Sequence, residues 1–438
     1  MTTALIGFAV LLILVFLRLP IAFAMGLVGF TGFGLLTGWK PSLAMVGTLV
    51  SDTALNYGLS VVPLFILMGN LVSRSGLSAE LYAASHAFLG HRRGGLSMAT
   101  IVACGSFSAI CGSSLATAAT MSKVAMPPMR QYGYSDSLAT ASIAAGGTLG
   151  ILIPPSVILV IYGLMTETSI RELFAAGFLP GLLGIILYLV AVQYVVWRRP
   201  QDGPRAEHTE WPERVKALKG VWGTLLLFIL VIGGIYGGIF TPTEAAGIGA
   251  GGAFLLALAR GVRSWRAHYE VLMSSARTTA MLFTVLIGAL IFSNFVNRAG
   301  LPAGLLEFVT GADMSPLMVL LVILAIYIVL GCVFESLSML LLTIPIFFPV
   351  VQGLGYAGMG PEEILVWFGV IAVVVTEISL ITPPVGLNVF VLAGVLKDVK
   401  TTTVFKGVTP FWCVDIIRLL ILLILPAYVL LLPNWLYH

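Results

Sequence analysis

Small residues that offer hydroxyl, amide or free backbone oxygens recur at four interruptions within long apolar stretches of this sequence. Two interruptions are short polar turns between apolar arms, and two are double-proline breaks inside apolar segments. At the helix ends that such interruptions create, unpaired carbonyls and hydroxyls suit Na⁺, whereas unpaired amides suit an anionic group. The pattern therefore predicts two Na⁺ sites. One would use Gly112, Ser113, Ser114, Gly147 and Thr148, and the other Ser336, Ser338, Thr382, Gly386 and Asn388.

Close helix packing is the alternative explanation for these small residues, because glycine and serine commonly allow membrane helices to approach one another. Packing is a sufficient explanation for a single serine within a span. A serine at a turn opposite a broken helix, repeated in both halves of the chain, favours ion binding instead.

Proline pairs define the two breaks and are predicted to shape the site. Pro154-Pro155 and Pro383-Pro384 each lack amide donors, and each ring clashes with the carbonyl one turn earlier, so a helix is interrupted there. In hydrocarbon every freed backbone group needs a partner, so such breaks persist only beside protein or a polar cavity. Matched breaks in the two halves of a polytopic chain indicate the binding site of a secondary transporter.

Carboxylates in or beside apolar segments form a second group of candidates, because each costs about 3 kcal/mol in a bilayer and so needs a partner or a function. Glu335 at the second turn and Glu377 before the second break are predicted to shape the site or attract the cation. Capping of a half-helix is the alternative for both. Glu244 follows Thr241 in a capping pattern and is predicted to be structural, while Asp52 is expected to be solvated.

The overall composition is that of a polytopic membrane protein. Of 438 residues, 59% are hydrophobic and only 10% are charged, with a mean hydropathy of +1.04. Basic residues lie in loops between apolar runs, which disfavours a nucleic-acid surface. The five histidines also lie outside those runs, and the sequence has no metal-protease, serine-hydrolase or phosphate-loop motif, so an enzyme is not expected. No cofactor is expected besides Na⁺ as the coupling ion.

Internal repetition predicts how the elements are arranged. Four matches occur in order at similar offsets, joining Pro20 to Pro242, Asn70–Leu77 to Asn294–Leu301, Ser113 to Ser336, and Pro154 to Pro383. Matches in register and in order indicate a duplication. We therefore predict a first repeat over 1–197, a cytoplasmic linker over 198–220 and a second repeat over 221–438.

Segment lengths predict an all-α protein in which each repeat has about five spans, one re-entrant hairpin and one discontinuous helix. In the first repeat the crossing segments are placed at 4–17, 20–37, 43–73, 136–166 and 173–197. The two arms of 96–128 hold about 15 residues each and rise only about 22 Å, too little for a hydrocarbon core of about 30 Å. Hairpins are predicted at 96–128 and 316–352, and broken helices at 136–166 and 364–396. An odd number of crossings per half inverts the second repeat relative to the first.

Basic residues sort to one side of this topology. That side receives Arg18, Arg74, Arg92, Arg93, Arg130, the basic residues of the linker, Arg260, Arg263, Arg266, Lys397, Lys400 and Lys406, and the other side only Lys40, Arg171 and Arg298. By the positive-inside rule the linker side is cytoplasmic, so both termini are predicted to be periplasmic.

Motifs along nearly the whole chain resemble the large membrane subunit of tripartite ATP-independent periplasmic (TRAP) transporters. They are Gly112-Ser113-Ser114, Met129-Arg130, Ile153-Pro154-Pro155-Ser156, Phe174-Ala175-Ala176-Gly177, Thr241-Pro242-Thr243-Glu244 and Thr382-Pro383-Pro384-Val385-Gly386. One mild departure is Glu335, where the family more often carries aspartate.

The resemblance implies an elevator-type translocator (DctM-type) in the bacterial inner membrane, driven by a Na⁺ gradient. It would import an organic acid such as a dicarboxylate or sialic acid. Two partners are implied: a small TRAP membrane subunit (DctQ-type), expected as a separate polypeptide, and a periplasmic substrate-binding protein (DctP-type). Two alternatives stay open. One is a stand-alone Na⁺/dicarboxylate symporter or exchanger of the same architecture, and the other is a membrane assembly subunit that translocates nothing.

Overall fold

The structure, a computed structural model, describes residues 1–437 and is built from α-helices joined by short turns. Within those residues, seven helices are long and apolar enough to cross a membrane. The all-α prediction is confirmed, and these helices have the length and composition of a polytopic membrane protein.

The first five helices include one departure from the predicted spans. They are α1 (Thr2–Phe16), α2 (Ile21–Thr37), α3 (Trp39–Leu55), α4 (Val61–Arg74) and α5 (Leu77–Leu89). The single span predicted over 43–73 is wrong, because the chain leaves the helix at Asn56 and passes through a short 3-10 turn before α4 begins. Pro63 lies in the first turn of α4, where its missing amide is harmless; within a continuous helix it would remove a hydrogen bond and clash with the preceding turn.

The next five helices contain a helical hairpin and a broken helix. They are α6 (Gly95–Cys111), α7 (Ser114–Gln131), α8 (Asp136–Thr148), α9 (Val157–Thr166) and α10 (Ile170–Arg198). The hairpin turns at Gly112, whose φ of 68° is in the left-handed region that glycine adopts without a steric penalty. The first break, residues 149–156, lies between α8 and α9 and contains Pro154-Pro155.

The second half begins earlier than the sequence predicts. Its helices are α11 (Trp211–Tyr236), α12 (Pro242–Ala259), α13 (Trp265–Arg298), α14 (Leu301–Gly311), α15 (Pro316–Leu330), α16 (Ser336–Leu354), α17 (Pro361–Ser379), α18 (Leu387–Val395), α19 (Thr401–Ile424) and α20 (Pro426–Tyr437). Only residues 199–210 of the linker predicted over 198–220 lie outside α10 and α11. Pro212 and Glu213 occupy the first turn of α11, where a missing amide and a negative charge both favour a helix start.

Helices from the two halves interlock around the hairpins and breaks. The long helix α13 packs along α2, and α12 packs along α4. Among the elements with interruptions, α9 of the first half packs against α16 and α17, while α18 of the second half packs against α7 and α8. The first break is buried and the two hairpin turns are partly buried, whereas Pro383 and Pro384 of the second break are exposed.

Candidate functional site

The first hairpin turn presents the N-terminus of α7 to the interior. Ser113 is the N-cap of this helix, and its hydroxyl accepts a hydrogen bond from the amide of Ala116 at 3.3 Å. Ser114, the first helical residue, is buried and free to point its hydroxyl away from the helix. A helix N-terminus carries partial positive charge, so a negative group is favoured beside Ser114.

The second hairpin turn presents the N-terminus of α16 in the same way. Glu335 is the N-cap residue, and the Ser338 hydroxyl donates to its Oε1 at 3.4 Å. Ser336 is the first helical residue and is buried. The sequence alignment matched Ser336 with Ser113, but by position in the helix its counterpart is Ser114.

A single carboxylate joins the two turns. Glu377 lies in the last turn of α17, 1% exposed, between the N-termini of α7 and α16. The Ser114 hydroxyl donates to its Oε2 at 2.5 Å, and the Ser336 hydroxyl donates to its Oε1 at 2.7 Å. Both oxygens of Glu377 are thereby used, one for each hairpin. Of the carboxylates that the sequence selects, this is the one at the centre of the site.

The last turn of α8, just before the first break, lies directly against the first hairpin. A side-chain carbon at Gly147 would lie 3.1 Å from the carbonyl oxygen of Ser114, and Ser108 on α6 donates to the Gly147 carbonyl at 3.2 Å. Gly112, Ser114 and Gly147 therefore gather as the sequence grouped them, with Gly112 against the start of α9. The Thr148 side chain does not join them, because it bonds to the Ala145 carbonyl and lies 3.2 Å from the Tyr188 hydroxyl.

The second break divides the residues that were grouped with it. Thr382 donates to the Ile378 carbonyl and accepts from the indole of Trp412 at 2.9 Å, away from Glu377. The break itself is closed by a bond from the Asn388 amide to the Leu380 carbonyl at 3.0 Å, preceded by Gly386 with a φ of 55°.

Asn388 reaches into the first half of the chain. Its side-chain Nδ2 donates to the carbonyl of Ala144, in the last turns of α8, at 3.1 Å. The residue is 0% exposed, and its Oδ1 has no hydrogen-bond partner among residues 1–437. The residues of the second predicted set therefore have different partners. Ser336 bonds to Glu377, Thr382 to Trp412 of α19, and Asn388 to α8 of the first broken helix.

Three functional candidates escaped the sequence analysis. Asp415 and Arg418 of α19 form a buried ion pair at 2.9 Å, and Tyr188 of α10 donates a hydrogen bond to Asp415. The side chains of the pair are 1% and 2% exposed. An Asp and an Arg three residues apart share a face of a helix, so this spacing within an apolar segment was a signal that could have identified them.

The remaining carboxylates have peripheral positions. The main-chain amide of Thr241 donates to Glu244 Oε2 at 2.8 Å and the Thr241 hydroxyl accepts from the Glu244 amide at 3.3 Å, which confirms the predicted cap of α12. Asp52 is exposed near the end of α3, as expected of a solvated group. Glu335 is half-buried beside the site.

Comparison with known proteins gives concordant results. A family model described as "Tripartite ATP-independent periplasmic transporter, DctM component" matches residues 8–428. The C4-dicarboxylate TRAP transporter large permease protein of Pseudomonas aeruginosa is 38% identical over 389 residues, covering 88% of each chain. The sialic acid TRAP transporter large permease protein of Vibrio cholerae is 34% identical, covering 86% of this chain and 87% of its own length.

Among solved structures, the YdaH transporter of Alcanivorax borkumensis has a similar fold. It superposes with a TM-score of 0.62 over 89% of each chain, at 16% sequence identity. At that identity the likeness concerns the fold alone. The relatives are named transporter permeases, which agrees with the prediction that the chain is not an enzyme.

Proposed function

The chain belongs to the DctM family of TRAP transporter large permeases, and on that premise we propose that it is the translocating subunit of a Na⁺-coupled importer of an organic acid. The acid is of the class carried by the relatives, which are named for C4-dicarboxylate and sialic acid. In this proposal a periplasmic binding protein delivers the acid and a small membrane subunit completes the complex.

One observation carries the proposal: Glu377 bridges the turns of both hairpins at the N-termini of α7 and α16. The two helix ends favour the negative charge of a substrate carboxylate. An organic anion beside Glu377 would nevertheless be repelled strongly in a low-dielectric interior. Bound Na⁺ offsets that repulsion, so substrate and ion would enter the site together.

An inverted repeat and an elevator motion complete the proposal. Each half runs in the same order through a short helix, a hairpin, a broken helix and a long helix. Gly76 and Gly300, 224 residues apart, both adopt positive φ and are the N-cap residues of α5 and α14 respectively, which supports the duplication. We assign the packed pairs of α2 with α13 and α4 with α12 to a scaffold, and the hairpins and broken helices to the moving body.

Contacts among the loops support the predicted orientation. Linker residues Gly203 and Asp202 accept hydrogen bonds from the amides of Gly94 and Ser135 at 2.9 and 3.1 Å. Arg130 contacts Asp398 at 2.6 Å, and this hydrogen bond holds the pKa of Asp398 below its ordinary range. The loops that the charge rule assigns to the cytoplasm thus contact one another.

Contacts among the remaining loops support their placement together on the opposite face of the membrane. The N-terminal amine donates to the Ala299 carbonyl at 2.9 Å, and the Arg171 guanidinium lies 5.4 Å from the ring centre of Tyr437. We propose that this second face is periplasmic and that the membrane is the bacterial inner membrane.

Labelling with a membrane-impermeant maleimide in intact cells tests the orientation. In a variant without the four native cysteines, Ala312→Cys, in the exposed turn before α15, should react, and Glu207→Cys, in the linker, should react only after permeabilisation. The reverse pattern would invert the proposed topology.

Uptake by reconstituted protein tests the function. Proteoliposomes containing the chain, its small subunit and its binding protein are tested with C4-dicarboxylates, sialic acid and neutral sugars, with and without an inward Na⁺ gradient. We expect uptake of one organic acid that requires the gradient and ceases when the binding protein is omitted. Uptake without the binding protein would favour a stand-alone symporter, and uptake independent of Na⁺ would overturn the proposed coupling.

A further inference from the structure

A buried series of polar side chains connects the start of the first break with α19. Thr148, the last residue of α8, lies 3.2 Å from the Tyr188 hydroxyl, which donates to Asp415, whose other oxygen lies 2.9 Å from the Arg418 guanidinium. All four side chains are almost completely buried. The series connects three helices, α8, α10 and α19, at the point where the first broken helix ends.

Packing around Arg418 places this series of polar side chains beside the first break. A side-chain carbon at Gly184 of α10 would overlap the Arg418 guanidinium and lie 2.8 Å from a methyl group of Leu149. Arg418 and Leu149, the first residue of the break, therefore both lie against Gly184 of α10. Removing two charges from water costs several kcal/mol per ion, about as much as the pair regains, so stability alone is a weak reason for the pair.

The direction of the hydrogen bonds defines what Thr148 offers. Arg418 can only donate, and Tyr188 donates its proton to Asp415, so the Tyr188 oxygen is left as an acceptor. The Thr148 proton is directed to Tyr188 or to the Ala145 carbonyl at 2.7 Å, both inside the protein. Only lone pairs of the Thr148 oxygen remain for any other partner, which is what a cation ligand requires.

A second buried oxygen near the end of α8 is available as a cation ligand. The Asn388 side chain donates to the Ala144 carbonyl, one turn before Thr148, and within the described part of the chain its buried Oδ1 has no hydrogen-bond partner. A buried polar atom without a partner costs free energy unless a water or an ion satisfies it.

We propose that Tyr188, Asp415 and Arg418 are positioning residues that orient the Thr148 oxygen toward a Na⁺ ion at the end of α8. The inference rests on the Na⁺ coupling proposed above. It assigns these three residues to the affinity for the ion, acting through Thr148, and not to contact with the organic acid.

Tyr188→Phe in the complete reconstituted transporter tests the inference. The phenyl ring keeps the edge contact with Phe411 and removes only the hydroxyl. We expect the Na⁺ concentration at half-maximal uptake to rise about two- to tenfold, the range that corresponds to one hydrogen bond, with near wild-type uptake at saturating Na⁺. The matched control is Tyr236→Phe on α11, outside the hairpins and breaks, which removes a hydroxyl that donates to the Phe174 carbonyl at 3.0 Å; its Na⁺ half-saturation should not change.

A double variant decides whether Tyr188 acts through Thr148. In a Thr148→Val background, Tyr188→Phe should add no further change in Na⁺ half-saturation, because the effects of substitutions at residues that act through one another do not add. Additive effects would overturn the inference, as would a defect in Tyr188→Phe that saturating Na⁺ does not restore. If uptake by the wild type depends on Na⁺ but Tyr188→Phe leaves the Na⁺ half-saturation unchanged, this inference alone is overturned. If uptake by the wild type does not depend on Na⁺, the proposed coupling is overturned as well.

Discussion

Replacing Glu377 with alanine is expected to lower organic-acid uptake more than about a hundredfold. The buried hydroxyls of Ser114 and Ser336 would both lose their acceptor, at about 1–3 kcal/mol each, and the two hairpin turns would lose the carboxylate that bonds to both of them. A loss of about 3 kcal/mol in the active arrangement corresponds to about a hundredfold. Initial uptake at saturating Na⁺ is the measurement, with gel filtration to establish that the variant is folded.

Three companion variants separate the role of this carboxylate from a general defect. Glu377→Gln keeps the shape and one acceptor oxygen, so its uptake should be intermediate. Ser114→Ala removes one of the two bonds to Glu377, whereas Ser113→Ala at the same turn removes only a helix cap. We expect Ser114→Ala to be the more damaging of the two. Equal effects of the two serine variants, or normal uptake by Glu377→Ala, would contradict the assignment of Glu377 as the bridge.

Substitution of alanine for Gly331 is expected to give the second large effect. Gly331 follows α15 at the second hairpin turn, and an added side-chain carbon would overlap the side chain of Ser379 at the end of α17. Its φ of −66° suits any residue, so only the lack of space opposes the change. Overpacking of this kind costs about 1–3 kcal/mol and would push the second hairpin away from Glu377. Uptake should fall about tenfold or more, with a lower melting temperature.

Two further variants test that explanation. Ser379→Gly combined with Gly331→Ala restores the space and should recover much of the uptake, despite the cost of about 1 kcal/mol for glycine in a helix. Gly247→Ala on α12 is the matched control, because an added carbon there meets no atom of the described residues within 4 Å. If Gly331→Ala behaves like Gly247→Ala, the close approach of the second hairpin to α17 is not required for transport.

Local residue chemistry was enough for the sequence to determine the interruptions. Pro154-Pro155 and Pro383-Pro384 lie in the two breaks, as the missing amides and the clash with the preceding turn predict, although Pro127-Pro128 lies inside α7. The turns at Gly112 and the cap formed by Thr241 and Glu244 are equally local, and the structure has both. Specific motifs along nearly the whole chain identified the family in the same way. For the segment 43–73 the sequence did not predict that one helix ends and another begins. Pro63 fits the first turn of α4, but a proline at that position does not by itself mark a helix start.

Only the tertiary structure decided which of these elements meet. Glu377 bonds to Ser336, 41 residues away, and to Ser114, 263 residues away, and no periodicity in the sequence relates these positions. Ser114 rather than Ser113 reaches Glu377 because the Ser113 hydroxyl caps its own helix, whereas the hydroxyl of the next residue, Ser114, donates to Glu377. Thr148 was separated from the first hairpin by Tyr188, 40 residues further along the chain. Apolar composition buries each segment, but the contacts between segments depend on side-chain packing across helices, and that information is not local.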